Sequence, residues 1–460
     1  MPMKTTKQNT IFSWFVIFFA GIGGAVYGYD LGVISSALLF INHDIPMTLA
    51  QSSFLVGAVL GGGAIATLVS GSLADLFGRK HMIILSAIIF LLGVFFVVYA
   101  HTYLMLMIGR ITQGVGVGII TIVIPLYLAE TLPSNIRGRG ISLFQLMLTA
   151  GILLANAVSI YFVPTHDWRS MFMSAAVPGI LLLVGGLFLP YSPRWLFNKG
   201  HEKKALLNFS KTHHKTWLKQ EWDNFISLAS QENQTVTAYF KALRQSKFLR
   251  PMLIVLSVAC LQQLMGVNSI LQFSAYLLKD NGLSSNLSAV LGSNVVSMAN
   301  FIITVTGMLL VDKIGRRKLL CIGTGAAAVS LIYLSITYLV LPFGPTKALF
   351  MLAGLVGFIL SYAVGPGLCI WIVLAELLPA KIRSTGMSVA LCANSMISTI
   401  FASVFLPLAQ HITYSGIFLI CAIASTTYCL VCYNFVPETK NKSLEEIEKI
   451  MSKSSHAAKR

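Results

Sequence analysis

The sequence predicts an all-α membrane protein of twelve transmembrane helices arranged in two related halves. Three observations predict it: a very apolar composition, recurring long apolar runs, and one unit written twice. Of 460 residues, 56% are hydrophobic and only 11% are charged, whereas charged residues make up about a quarter of soluble domains. Runs such as 82–100, 253–278 and 319–341 are each near the ~20 residues that cross a bilayer as helix. In hydrocarbon every backbone polar group must be satisfied within the chain. Runs of this length are therefore helices rather than the shorter, alternating strands of a barrel. The duplication is carried by Asp75-Leu-Phe-Gly-Arg-Lys80, which returns as Asp312-Lys-Ile-Gly-Arg-Arg317. It is confirmed by Glu130-Thr-Leu-Pro-Ser-Asn-Ile-Arg137, which returns as Glu376-Leu-Leu-Pro-Ala-Lys-Ile-Arg383. Two unrelated motifs repeating in the same order at nearly the same separation mark an internal repeat.

The net charge of +17 argues for lipid topology rather than for nucleic acid. Basic residues cluster in alternate loops: Arg79 and Lys80, Arg137 and Arg139, the segment 194–250, the segment 313–318, and Lys381 with Arg383. The intervening loops hold few, such as Arg169, Lys279 and Lys347. The excess of positive charge on cytoplasmic loops places the first set, both termini and the central loop inside the cell. The seven cysteines fall in the apolar runs without framework spacing and read as small apolar residues. Cys429 and Cys432 form a Cys-x-x-Cys in the last span, but without nearby histidines it predicts no redox or metal role. The first apolar run continues to Phe40 and carries Asp30, so it is expected to be retained as a span rather than cleaved.

Span 1, roughly 11–40, is dense in glycine and is built for close helix contact. Of the sixteen acids, Asp30 alone falls inside a span rather than in a loop, a tail or a span end. A lone intramembrane carboxylate is costly and marks a proton or ion site, the alternative being a carboxylate that only bridges neighbouring helices. Its expected partner is Arg110, about two turns into span 4. Span 1 enters from inside and reaches Asp30 late, while span 4 enters from outside and reaches Arg110 early, so the depths agree. Burial penalises the charged carboxylate and a neighbouring guanidinium favours it, which leaves a group whose protonation can follow water access.

The repeated charges at the cytoplasmic span ends are Asp75, Arg79, Glu130, Arg137, Asp312, Arg316, Glu376 and Arg383. They could be solvated loop charges that enforce topology. Topology requires positive charge but not acids paired at fixed spacing, so the sharper expectation is an inner gate of ion pairs exchanged between the halves. From 193 to 250 hydropathy drops, and Ala205, Leu206 and Phe209, then Trp222, Phe225 and Ile226, recur at helical spacing. Short amphipathic helices are expected there, at the boundary between halves. Span 7 carries Gln262, Gln263 and Asn268, whose spacing lines one face only loosely. Further amides occur at Gln145, Asn300 and Asn394. Amides donate and accept, and with an aromatic such as Trp371 they suit a neutral polyhydroxy ligand, the alternative being plain interhelical hydrogen bonds. Span 10 holds Gly365-Pro366-Gly367, a break tolerated where backbone lines a cavity or bends at a gate. No nucleophile with a base, and no metal-ligand spacing, lies within a span, so an enzyme is not expected.

The ordered set of motifs resembles the sugar porters of the major facilitator superfamily over essentially the full length. It comprises Gly28-Tyr29-Asp30, Gly78-Arg79-Lys80, Pro125 through Glu130, Arg137-Gly138, Ser192-Pro193-Arg194-Trp195-Leu196, Gln262-Gln263 with Gly266 and Asn268, Asp312 with Gly315-Arg316-Arg317, Trp371 through Glu376, and Pro437-Glu438-Thr439. The resemblance implies two six-helix bundles, 1–190 and 251–437, a cytoplasmic helical domain at 191–250 and a tail at 438–460. It also implies alternating access around a central site, in a protein of the cell membrane for which nothing requires more than a monomer. By the same resemblance Gln145, Gln262, Gln263, Asn268, Asn300, Asn394 and Trp371 bind sugar. Asp30 and Arg110 match the proton-coupling pair of symporters, whose facilitative relatives usually have asparagine at the acid's position. The expected function is proton-coupled import of a monosaccharide such as glucose, with no cofactor beyond the proton. The alternatives are a facilitative uniporter of the same fold and a non-transporting sugar sensor, for which a long cytoplasmic tail would be expected. Three positions depart from the family pattern: Gln272-Phe273 stands for an aromatic pair, Tyr191 for the usual glutamate of the Pro-Glu-Ser-Pro-Arg motif, and Ser395 for a frequent tryptophan.

Overall fold

The computed structural model describes residues 7–213, 222, 246–379, 382–440 and 446. The first half is built from α1 (Lys7–Asp44), α2 (Leu49–Phe77), α3 (Arg79–Val98), α4 (Tyr103–Thr131), α5 (Ser134–Phe162), α6 (Trp168–Ser174) and α7 (Ala176–Phe188). Two short helices follow, α8 (Pro193–Asn198) and α9 (Glu202–Thr212). The second half contains α10 (Ser246–Leu264), α11 (Val267–Gln272), α12 (Ser274–Asp280), α13 (Asn286–Ile314), α14 (Arg316–Val340), α15 (Pro345–Val364), α16 (Pro366–Leu377) and α17 (Arg383–Phe435). Eleven stretches of the described residues are long and apolar enough to cross a membrane. The last is continuous in helical hydrogen bonding but has a non-helical Thr413 at φ 61° and ψ 167°. That residue turns the chain back, so the stretch supplies two spans and the total is twelve.

The bundle has a basic end, where the α2–α3 and α13–α14 turns lie, and a far end opposite. Apolar side chains are exposed along most helices, among them Ile65, Phe188, Leu309 and Val340, as expected where lipid replaces water as the solvent. Close contact between α1 and α5 depends on Gly28, where an added Cβ would lie 1.8 Å from the Leu148 carbonyl oxygen. That approach fixes the α1 turn carrying Asp30. The amphipathic pattern after span 6 is realised in part: Leu196, Ala205, Phe209 and Trp222 form their own small apolar cluster. The Phe225 and Ile226 of that pattern lie outside the described residues.

Among the described residues, several hydrogen bonds join the halves towards the far end. Ser35 Oγ meets Ser274 Oγ at 3.0 Å and Ser293 Oγ at 3.1 Å. Asn156 Nδ2 donates to Ser297 Oγ at 2.7 Å, and the Leu406 N–H donates to Ser53 Oγ at 2.9 Å.

Candidate functional site

Asp30 and Arg110 meet as expected. Arg110 Nη1 donates to Asp30 Oδ1 at 2.8 Å, and both side chains are fully buried. The same nitrogen donates to Gln113 Oε1 at 3.0 Å, and the Phe172 ring lies 5.4 Å from the guanidinium carbon. Gln113 did not stand out in the sequence. Its signal was its place one helical turn after a buried arginine, which puts it on the same face of α4.

The amides of the second half form one network, and its geometry depends on a break that the residue spacing hides. Span 7 is not one helix but three pieces: Gly266 sits at φ +82° between α10 and α11, and Phe273 separates α11 from α12. A left-handed residue there resets the helical register, so Gln263 and Asn268 come together although five positions apart. Asn268 Nδ2 donates to Gln263 Oε1 at 3.1 Å and to Ser398 Oγ at 2.8 Å. Gln263 Nε2 donates to Gln262 Oε1 at 2.9 Å and to Asn394 Oδ1 at 3.0 Å. Asn394 Nδ2 closes the ring on Gln262 Oε1 at 2.8 Å and also reaches the Ala259 carbonyl at 2.8 Å. Gln262 Nε2 donates to the Tyr362 hydroxyl at 2.7 Å. Tyr362 and Ser398 are thus members of the site that sequence reasoning missed, hidden among the many hydroxyls of the apolar spans.

A central cavity lies between the halves. Leu31, Gln145 and Thr149 line it from the first half, and Asn268, Asn300, Thr304 and Tyr362 from the second. Among the described residues, neither Gln145 nor Asn300 commits its side-chain amide to a protein hydrogen bond. The cavity therefore offers two open amides beside a preorganised ring of bonded ones. The Trp371 side chain lies outside those described. The departures from the family pattern are accommodated locally: Gln272 Nε2 donates to the Asn268 carbonyl at 3.1 Å, and Phe273 stacks on Phe405 at 5.0 Å.

A family model described as "Sugar (and other) transporter" matches residues 16–451. The chain belongs to the sugar porter family of the major facilitator superfamily. The porter is 35% identical to the glucose transporter GlcP of Staphylococcus epidermidis over 444 residues, covering 94% of this chain and 96% of that one. It is 31% identical to the galactose-proton symporter of Escherichia coli over 453 residues, covering 98% and 97%. Its fold matches the proton:xylose symporter XylE bound to 6-bromo-6-deoxy-D-glucose, with a TM-score of 0.80, 25% identity, and coverage of 96% and 100%. It is a multi-pass membrane transporter of sugars and not an enzyme.

At the basic end, the ion pairs described in the porter lie within the first half. Arg79 Nη2 lies 2.7 Å from both Asp75 Oδ1 and Glu130 Oε1. Arg79 Nη1 donates to the Ala74 carbonyl at 3.0 Å, and Ser192 Oγ donates to Glu130 Oε2 at 2.5 Å. Span 6's exit is thereby tied to spans 2, 3 and 4. In the second half Glu438 takes a different role, accepting from the backbone N–H of Arg316 at 3.0 Å and of Thr439 and Lys440 at 3.1 Å. Arg316 and Glu376 both have partners within the protein. The side chains of Arg137, Asp312 and Arg383 lie outside those described.

Proposed function

We propose that the porter imports a monosaccharide, glucose or another hexose, together with a proton by alternating access. The observation that carries this reading is the fully buried Asp30–Arg110 pair in the same bundle as a cavity lined by amides. A carboxylate in the membrane interior is rare and is kept for ion or proton work. The cavity residues Gln145, Asn268, Asn300, Thr304 and Tyr362 present donors and acceptors without charge, which matches the hydroxyls of a neutral sugar. Gln262, Gln263 and Asn394 form the ring that holds Asn268, and with Trp371 they are assigned to sugar binding. Relatives named for glucose, for galactose with a proton, and for xylose with a proton support sugar as the cargo and the proton as the coupling ion.

In this reading the bundles are 1–190 and 251–437, joined by a cytoplasmic helical segment at 191–250 and followed by a tail at 438–460. The basic end faces the cytoplasm, both termini are inside, and the porter works as a monomer in the cell membrane with no cofactor. Asp75, Arg79, Glu130 and Arg137, with Asp312, Arg316, Glu376 and Arg383, form the inner gate that rearranges when the cavity opens inward.

The test is uptake of labelled hexose into vesicles holding the purified porter. An inward proton gradient accelerates uptake and drives accumulation, whereas Asp30→Asn accumulates nothing while still exchanging sugar. Gradient-independent uptake by the unaltered porter would replace symport with facilitative uniport.

A further inference from the structure

Gln113 has no exposed surface, and its side chain shares a donor with the ion pair. Arg110 Nη1 carries two hydrogens and serves two acceptors, Asp30 Oδ1 at 2.8 Å and Gln113 Oε1 at 3.0 Å. One acceptor can be charged and the other is always neutral. Arg110 Nε and Nη2 are buried without hydrogen-bond partners, as are Asp30 Oδ2 and Gln113 Nε2. The guanidinium is therefore held by those two acceptors and by the face of Phe172.

We propose that Gln113 is a positioning residue for the proton step, holding the Arg110 guanidinium in place while Asp30 is neutral. The proposal rests on the reading of Asp30 as the proton site. A hydronium ion passes its proton to Asp30 Oδ2, the oxygen that makes no hydrogen bond, and leaves as water, so no hydrogen bond within the protein is broken when the proton arrives. Once neutral, Asp30 attracts Arg110 only weakly. The buried guanidinium then keeps its hydrogen bond to Oδ1 but loses its counter-charge, which is strongly unfavourable. Gln113 Oε1 remains within hydrogen-bond distance and removes part of that penalty. It thereby makes the neutral state of Asp30 easier to reach without any excursion of Arg110 towards water.

The surroundings leave few other groups to do this. From α1, the titratable neighbours are Tyr27, which feels the Asp30 charge, and Tyr29, whose hydroxyl is turned to Ser174 Oγ at 2.7 Å. From the second half, Tyr362 lines the cavity with its hydroxyl engaged by Gln262 Nε2 at 2.7 Å. α6 presents Phe172, α5 presents the backbone of Leu148 and Ile152 to Gly28 and Gly32, and α2 presents the Val59 backbone to Gly114. On α3, Gly93 faces the Gln113 backbone and Cγ. A purely structural role for Gln113 would consist of filling this α3–α4 contact, and it would leave the protonation of Asp30 unchanged.

The experiment is an infrared titration of the purified full-length porter, reading the neutral-carboxyl band of Asp30 as the band lost in the matching Asp30→Asn protein. This readout does not depend on which sugar is carried. Gln113→Met removes the second acceptor and is expected to move the midpoint to lower pH by about one unit, a tenfold change in proton concentration. Gln113→Glu puts a second carboxylate beside Arg110 and is expected to move it to higher pH. Midpoints that coincide with the unaltered porter in both variants overturn this inference and leave the symport reading standing. A porter whose Asp30 band never titrates overturns both. Where Gln113→Met elutes as aggregate, the sign of the shift in Gln113→Glu decides.

Discussion

The two halves of the porter share a repeat but solve the problem of polarity in a membrane in opposite ways. The first half keeps α1 unbroken from Lys7 to Asp44 and buries charge in it, with Asp30 held against Arg110. The second half breaks its spans, at Gly266 in span 7 and at Gly365 in span 10, and fills the interior with neutral amides and hydroxyls. A continuous helix satisfies its own backbone, so a buried ion pair needs only side-chain compensation. A broken helix frees backbone and redirects side chains, and this brings Gln263 and Asn268 together. Duplication supplied the scaffold, and the two copies then took up different chemistry.

The sharpest way to break that contrast is to leave the charge of the first half unpaired. In Arg110→Met, Asp30 loses the hydrogen-bond donor described for it in a fully buried place. Removing one member of a buried pair destabilises proteins by about 3–5 kcal/mol. The variant is expected to lose thermal stability in detergent by an amount of that order, read from unfolding followed by size-exclusion chromatography. A loss under about 1 kcal/mol would mean that the pair is not what compensates Asp30.

In the second half the comparison turns on whether an amide serves the protein or the cavity. Asn394→Leu removes three hydrogen bonds at once, those with Gln263, Gln262 and Ala259. Their orphaned partners are expected to lower stability by about 2–3 kcal/mol and to weaken sugar binding as the ring relaxes. Asn300→Leu breaks no side-chain hydrogen bond described within the protein, so its effect should fall on binding, about tenfold or about 1.4 kcal/mol, with stability changed by less. Thermal unfolding and sugar binding measured side by side separate the two roles. Equal losses of stability in the two variants would remove the distinction.

How much of this was legible follows from the same contrast. Asp30 and Arg110 could be read because a charge is rare in an apolar run and the direction of each span fixes its depth. The amides could be named but not arranged, since helical spacing assumes one register and Gly266 changes it. Gln113, Ser398 and Tyr362 were not legible, because a single amide or hydroxyl in a span carries no signal until its neighbour is known. At the basic end the repeated motifs raise the expectation of ion pairs exchanged between the halves. The described pairs of Arg79 fall within the first half because the Gly78 turn sets Asp75 in the last turn of α2 against Arg79 at the start of α3, and α4 brings Glu130 alongside.

The smallest effect tests the halves where they look most alike. Both repeats turn at a glycine with positive φ, +93° at Gly78 and +104° at Gly315. In the second half the turn is covered by the Glu438 carboxylate, which accepts three backbone N–H groups including that of Arg316 at the start of α14. In the first half it is covered by the Trp195 ring, which would lie 3.0 Å from a Cβ at Gly78. Beside it Tyr191 stacks on Trp195 at 6.0 Å and lies under Lys80 Nζ at 5.1 Å. Glu438→Ala is expected to cost about 1–2 kcal/mol, the usual loss when a helix N-terminus loses its cap. Tyr191→Glu restores the family's acid at the first turn of α3, near Lys80. An exposed ion pair there contributes about 0–1 kcal/mol, while losing the ring stack and the cation–π contact removes about as much. The two changes offset, so its unfolding temperature should match that of the unaltered porter. A clear rise would show that an acid fits both copies equally well. No change, together with the loss in Glu438→Ala, would show that the first half has replaced a charged cap with an aromatic one of equal worth.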